Sequence, residues 1–103
     1  LAGGLRLKDP ALDLAACMAV LSSSKDAALP ADSVFIGEVG LLGEVSRVPY
    51  LENRLKEAAK AGFKKAFVPA RSLKDLGTVA GLQIKGVADL QQAASLFFTE
   101  KGR

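Results

Sequence analysis

The sequence predicts an α/β (α+β) fold, a mixed β-sheet with helices packed on it, formed by a single domain over residues 1–103. Three observations lead there. The run YLENRLKEAAKAGFKKAFVP, Tyr50 to Pro69, reads as a helix, a glycine stop and a short buried strand. SVFIGEVG at 33–40 and LQIKGV at 82–87 are rich in β-branched residues or alternate in polarity, as strands do. Taken along the chain, the order is strand, helix, two strands, helix, strand, strand, helix, which suits one sheet covered by helices.

Each element has a local reason. LAGGLRL at 1–7 reads as the end of a strand. Asp9-Pro10 is a helix start, a capping acid followed by proline at the first helical position. ALDLAACMAVLSSS is apolar almost all round, which predicts a central helix covered on most sides, with Cys17 and Met18 as packing residues. Ser22 to Lys25 end it, and Pro30 lies in a loop. Gly37, Gly40 and Gly43 punctuate GEVGLLGEV, predicting a hairpin or bulged turn between strands Ser33–Val39 and Gly43–Arg47. A phosphate-cradling loop is disfavoured there: the spacing is neither GxGxxG nor the Walker pattern, and no lysine follows the last glycine.

In the Tyr50–Gly62 helix, Leu51, Leu55, Ala58 and Ala59 share a face, and Gly62 stops it. Glu52 precedes Lys56 by four residues and Glu57 precedes Lys60 by three, both in the favourable orientation. Those lysines are therefore expected on a solvated, ion-paired face. Lys65–Val68 is a strand ended by Pro69. RSLKDLGTVAG is a polar connection with one helical turn. Asp89 caps a last helix with an apolar stripe of Leu90, Ala93, Ala94, Phe97 and Phe98, and EKGR is a frayed tail.

Composition excludes several chemistries. There is no histidine, so the commonest general base and transition-metal ligand are missing, and Ser-His-Asp, Cys-His and zinc sites are not expected within the chain. Cys17 is the lone cysteine, so no internal disulfide forms. No apolar run spans a bilayer, so no membrane is expected as a partner and a cytoplasmic location is. Because Leu1 is not an initiator methionine, the natural chain is expected to begin upstream.

The net charge of +3 permits an anionic partner. Arg47, Arg54, Lys64, Lys65, Arg71 and Lys74 gather around the ends of the second helix and the strand after it. They are candidates for a phosphate-binding rim, or simply for a solvated surface. Tyr50 is the only tyrosine and tryptophan is absent, so no base-stacking platform is suggested. The serines at 22, 23, 24, 33, 46, 72 and 95 are read as helix-end and loop residues.

VFIGEVGLLGEVSRVPYLENRLKEAAKAGFKKAFVP resembles the C-terminal domain of the RadA (Sms) family of bacterial DNA repair and recombination proteins. The GEVGLxGEV stretch, the following VP and the EAAKxGFKKAxVP ending carry the likeness, which extends over nearly the whole chain. The same pattern is similar, more weakly, to the proteolytic domain of Lon proteases, and that resemblance implies a Lon-like fold. Lon uses a serine–lysine dyad, its serine in DGPSAG and its lysine in GG-x-K-E-K. Here KDPALD puts Ala11 at the serine position and PYLENR puts Glu52 at the lysine position. Neighbouring Pro10, Leu12, Leu51 and Asn53 supply neither group, so no peptidase activity is expected.

The resemblance further implies a zinc finger and a RecA-like ATPase upstream. ATP, magnesium and zinc would belong to those segments, with no cofactor or metal in this one. It implies a DNA-dependent ATPase as the parent, a hexameric ring, binding to single-stranded DNA and a partnership with the recombinase RecA. The domain itself is expected to be a ring-forming scaffold that contributes to DNA binding. Pure oligomerisation without DNA contact is the alternative, and a serine–lysine peptidase a remote one.

Overall fold

The computed structural model describes residues 9–98. The expected strand at 1–7 and the tail at 100–103 lie outside those residues. The first 3-10 turn, Pro10–Leu12, starts as the sequence predicts: the Asp9 carboxylate accepts the Ala11 N–H at 3.1 Å. It leads directly into α1, Asp13–Ser24. Then follow β1 (Ser33–Phe35), β2 (Glu38–Val39), β3 (Val45–Ser46), α2 (Leu51–Lys60) and β4 (Lys65–Pro69). A second 3-10 turn, Ala70–Asp75, leads to β5 (Gln83–Val87) and α3 (Leu90–Ser95).

The α/β class holds, and both expected kinds of strand pairing are present, divided between two sheets. β1, β4 and β5 make a parallel sheet with β4 in the centre. β2 and β3 pair antiparallel as a hairpin, Glu38 opposite Ser46 and Val39 opposite Val45. The hairpin is tied to the end of β5, because Val45 N–H donates to the Ala88 carbonyl at 2.9 Å and Leu90 N–H to the Gly43 carbonyl at 2.7 Å.

The run expected as one strand over Ser33–Val39 is broken at Ile36-Gly37. Here the chain leaves one sheet for the other. Ile36 N–H still reaches the Phe67 carbonyl at 2.9 Å, but Gly37 exchanges backbone bonds with the first turn and α1, to Ala11 O and from Leu14 N, each at 3.0 Å. A Cβ on Gly37 would stand 2.7 Å from Val45 Cγ1, so only glycine lets the hairpin fold back this closely.

Two cores lie on the two faces of the parallel sheet. On one, Ala66 and Val68 of β4 pack with Leu51 and Leu55 of α2 and with Val79 and Leu82. On the other, Phe35, Phe67 and Val87 pack with Leu14 and Met18 of α1 and with Ala93 and Phe98. Phe35 and Phe67 stack at 5.0 Å between centroids, and Phe97 meets both edge-on at 5.6 and 5.2 Å. Of the final stripe, Ala93 and Phe98 are buried and Leu90, Ala94 and Phe97 partly so, although α3 itself ends at Ser95 and the phenylalanines follow it.

One expectation is corrected. α1 is not covered on most sides: Leu14 and Met18 are fully buried, but Val20 is 67% exposed and Leu12 47%. β1, the hairpin strand β2 and α3 all pack against α1, yet together they leave the side that carries Val20 open to solvent.

The second 3-10 turn presses on β5 at Gly86, where an added Cβ would lie 2.9 Å from Ala70 Cα and 2.6 Å from Leu73 Cδ1. Backbone cannot yield as a side-chain tip can. Gly86→Ala is expected to lower the unfolding free energy by about 1–3 kcal/mol in urea titrations. Gly77→Ala has open space around the new methyl and should stay within about 0.5 kcal/mol of the parent chain.

Candidate nucleic-acid interface

The six candidate cations divide into three places. Arg47 follows β3, while Arg71 and Lys74 stand on the 3-10 turn that leaves the C-terminal end of β4. These three line one cleft of about 1020 Å³ together with Ser46, Ala70 and Leu73. The end of a parallel sheet where the strands' carboxyl termini emerge is a common place for a ligand. Lys64 and Lys65 sit at the opposite end of β4, where both N–H groups reach the Asp32 carbonyl, at 2.9 and 3.2 Å.

Within the cleft, Arg47 has a structural duty. Its Nη2 donates to the Arg71 carbonyl at 2.9 Å and lies 3.5 Å from Asp75 Oδ2, so it ties the hairpin strand to the 3-10 turn. Both partners of that ion pair are solvent-exposed, which makes it weak in stability terms. The side chains of Arg71 and Lys74 form no ion pair with another described residue. They are exposed and available to an anion.

Arg54 does not join the cleft. Its Nη1 and Nη2 donate to the two carboxylate oxygens of Asp9 at 2.8 and 3.3 Å, and its Nε donates to the Pro49 carbonyl at 2.9 Å. All three guanidinium nitrogens are engaged in clamping the start of α1's lead-in turn to the start of α2. Sequence reading found Asp9 as a cap but could not find this partner, which lies 45 positions away.

The clamp lies close in sequence to Ala11 and Glu52, the two positions that the resemblance to Lon proteases singles out. Ala11, two residues past Asp9, is 1% exposed and belongs to the core with Leu51 and Leu55. Glu52, two residues before Arg54, is exposed and pairs with Lys56 at 3.3 Å, the local pairing that the spacing predicts; Glu57 and Lys60 pair likewise at 3.6 Å. The buried position thus carries a methyl group, and the exposed one a carboxylate held by its own helix neighbour.

Other reactive groups have structural surroundings. Partial burial, with a smaller contribution from Asp13, pushes the Cys17 thiol up, away from the reactive thiolate. Ser22 and Ser95 donate their hydroxyls to the Ala27 and Gln92 carbonyls at 2.6 and 2.8 Å, as helix-end residues do. Among the described residues, no helix is long and apolar enough to cross a membrane.

Comparison with known proteins gives a consistent family. Residues 1–72 match the family described as subunit ChlI of Mg-chelatase. Similar proteins include the DNA repair protein RadA of Bacillus subtilis, 46% identical over 92 residues, or 89% of this chain and 20% of that protein. RadA of Aquifex aeolicus is 46% identical over 97 residues, 94% of this chain and 21% of that protein. RadA of Streptococcus pneumoniae is 42% identical over 97 residues, 94% of this chain and 23% of that protein. The chain spans about a fifth of the length of the curated relatives it matches.

The clamp makes stability depend on acid. Asp9's carboxyl is held below its ordinary value of 3.8, first by the hydrogen bonds from Arg54 and then by the Ala11 N–H. A depressed carboxyl contributes stability that is full above its unfolded value and is lost as pH falls through the lower folded one. Arg54→Met is therefore expected to melt at a lower temperature than the parent chain at neutral pH. The gap should narrow once the pH drops below 3.8 in melting curves followed by circular dichroism. A gap that stays constant down to pH where Asp9 is protonated would assign Arg54's role to packing.

Proposed function

The chain belongs to the family described as subunit ChlI of Mg-chelatase and is homologous to a segment of the DNA repair protein RadA, and from that premise we propose that it is a non-proteolytic, Lon-like scaffold domain of a RadA-type repair protein. It contributes to ring assembly and contacts single-stranded DNA. The setting the resemblance implies is a cytoplasmic, DNA-dependent ATPase that forms a hexamer and works with the recombinase RecA. Nucleotide and metal chemistry belong elsewhere in that parent.

The observation that carries the DNA reading is the cleft in which Arg47, Arg71 and Lys74 converge. Arg71 and Lys74 would hold phosphate oxygens, one as a planar fork and one as a point charge. Arg47 fixes the turn that presents them. With no base-stacking aromatic among these residues, binding would follow the backbone and not the sequence. Support for the non-proteolytic reading is the pair of dyad positions, Ala11 in the core and Glu52 in an ion pair on the surface. A purely assembling domain is the second reading, favoured by an exposed leucine pair on the hairpin.

Fluorescence anisotropy of a labelled single-stranded oligonucleotide tests the DNA reading. Binding should weaken steeply with salt, and Arg71→Glu with Lys74→Glu should reduce affinity about tenfold or more. Lys64→Glu with Lys65→Glu, at the far end of β4, should change it little. Equal losses from both pairs would point to diffuse attraction and not to a cleft; no binding at low salt would leave assembly alone.

The peptidase question has its own test. Ala11→Ser with Glu52→Lys restores the two residue types, but buries the hydroxyl in an apolar core and sets the new lysine one helical turn from Lys56. No turnover of fluorescent casein is expected. Turnover lost again on removing the serine would overturn the non-proteolytic reading.

A further inference from the structure

Leu41 and Leu42 form the tip of the β2–β3 hairpin and are 104% and 93% exposed. The tip is not a loose loop. Gly40 N–H donates to the Glu44 carbonyl at 2.9 Å, Gly43 N–H to the Gly40 carbonyl at 3.0 Å, and Leu42 N–H to Glu44 Oε1 at 3.1 Å. The bond from Leu90 N–H to Gly43 O anchors the turn to the start of α3. The Glu44 carboxylate occupies the space that a Gly40 side chain would need. Two large apolar side chains are thus held outward on a rigid support, ordered before any partner arrives.

A matching surface exists elsewhere on the molecule. Leu73, Leu76, Gly77, Val79, Leu82 and Ile84 line an apolar groove of about 260 Å³. It lies where β5 begins, whereas the hairpin is bonded to residues just past the end of β5. At about 3.3 Å per residue, β5 sets the hairpin's anchor at Ala88 apart from Leu82 and Ile84 in the groove.

The charges around the two features are complementary. Between Glu38 and Ser46 the hairpin carries Glu38 and Glu44 and no cation, while the groove stretch from Leu76 to Ile84 carries no charge at all. Lys74 adjoins Leu73 at one end, and the backbone carbonyl of Lys64 accepts the Gln83 N–H at 2.9 Å at the other, setting Lys64 next to the strand that follows Leu82. The nearest acid, Asp75, faces Arg47 at 3.5 Å.

We infer that the Leu41–Leu42 tip seats in this groove on a second copy of the chain, head to tail, with the hairpin acids against the flanking lysines. This rests on the assembly part of the proposed function and gives it a specific contact. Because hairpin and groove are different patches, the contact is heterologous. Repeated, it gives a closed ring when the rotation closes and an open filament otherwise.

Sedimentation velocity on this chain over a concentration series tests the contact. The parent chain should self-associate. Leu41→Ser with Leu42→Ser should weaken association at least about tenfold. So should Gly77→Glu, a position where a side chain meets no neighbouring atom and folding is spared.

The decisive arm mixes the two variants. Each lacks one half of the contact, so together they retain one intact junction and should form a dimer that neither forms alone. Association that persists in the leucine variant overturns the contact while leaving assembly standing. Loss in both variants without rescue on mixing overturns the head-to-tail pairing. A parent chain that stays monomeric throughout overturns the contact and the assembly reading together; salt-dependent oligonucleotide binding by the parent chain is read separately, whereas Lys74→Glu, which reverses a charge shared by cleft and contact, does not tell the two apart.

Discussion

Phe67 and Val68 are neighbours in the chain and belong to different cores. That is the constraint from which the rest of the architecture follows. β4 alternates Ala66, Phe67 and Val68 across the central strand, and each is nearly or fully buried, on one sheet face or the other. Burying a large apolar side chain is worth about 1.5–3 kcal/mol, and the parallel partners β1 and β5 can be held only if both faces are covered. α2 covers one face; α1, α3 and the trailing phenylalanines cover the other. A strand this short therefore dictates where three helices go.

The position of the basic cleft follows from the same strand. β4 ends at Pro69, and the chain turns at once into the 3-10 turn that packs over Gly86. The ladder sets Gly86 opposite Val68, so the absence of a side chain there lets the turn lie directly on the strand it has just passed. Arg71 and Lys74 are then carried by backbone resting on the sheet, and Arg47 closes the cleft from the hairpin side. Lys64 and Lys65 open the same strand and emerge at its other end. Strand direction, not proximity in sequence, divides cations that lie within a few residues of each other.

What could be read in the sequence was what depends on near neighbours. The α2 helix, its two ion pairs, the caps by Asp9 and Asp89 and the stop at Gly62 are all settled within one or two helical turns, and all are present. The break at Gly37 was hidden because Ser33–Val39 has strand-forming residues throughout; it exists only because Val45 returns against it. The open side of α1 was hidden too, since an apolar helix does not say how much of its surface its neighbours will reach. Arg54 looked like its fellow cations in composition, and only the fold brought Asp9 to it. That Ala11 lies in the core and Glu52 on the surface is a matter of burial, and no local pattern gives either residue a chemical role.

Arg54 and Arg71 show how the same side chain is assigned different work by what surrounds it. Arg54 stands beside a carboxylate already aligned by a backbone bond to Ala11, so a fork geometry is available and its donors are taken up inside the molecule. Arg71 stands on a turn whose own acid, Asp75, is engaged by Arg47, and its side chain is exposed without an ion-pair partner among the described residues. Arg47 thus acts twice, by holding the turn in place and by occupying the acid that would otherwise compete for Arg71 or Lys74. The positive character of the cleft comes from this division of partners, which a net charge of +3 spread over the chain does not convey.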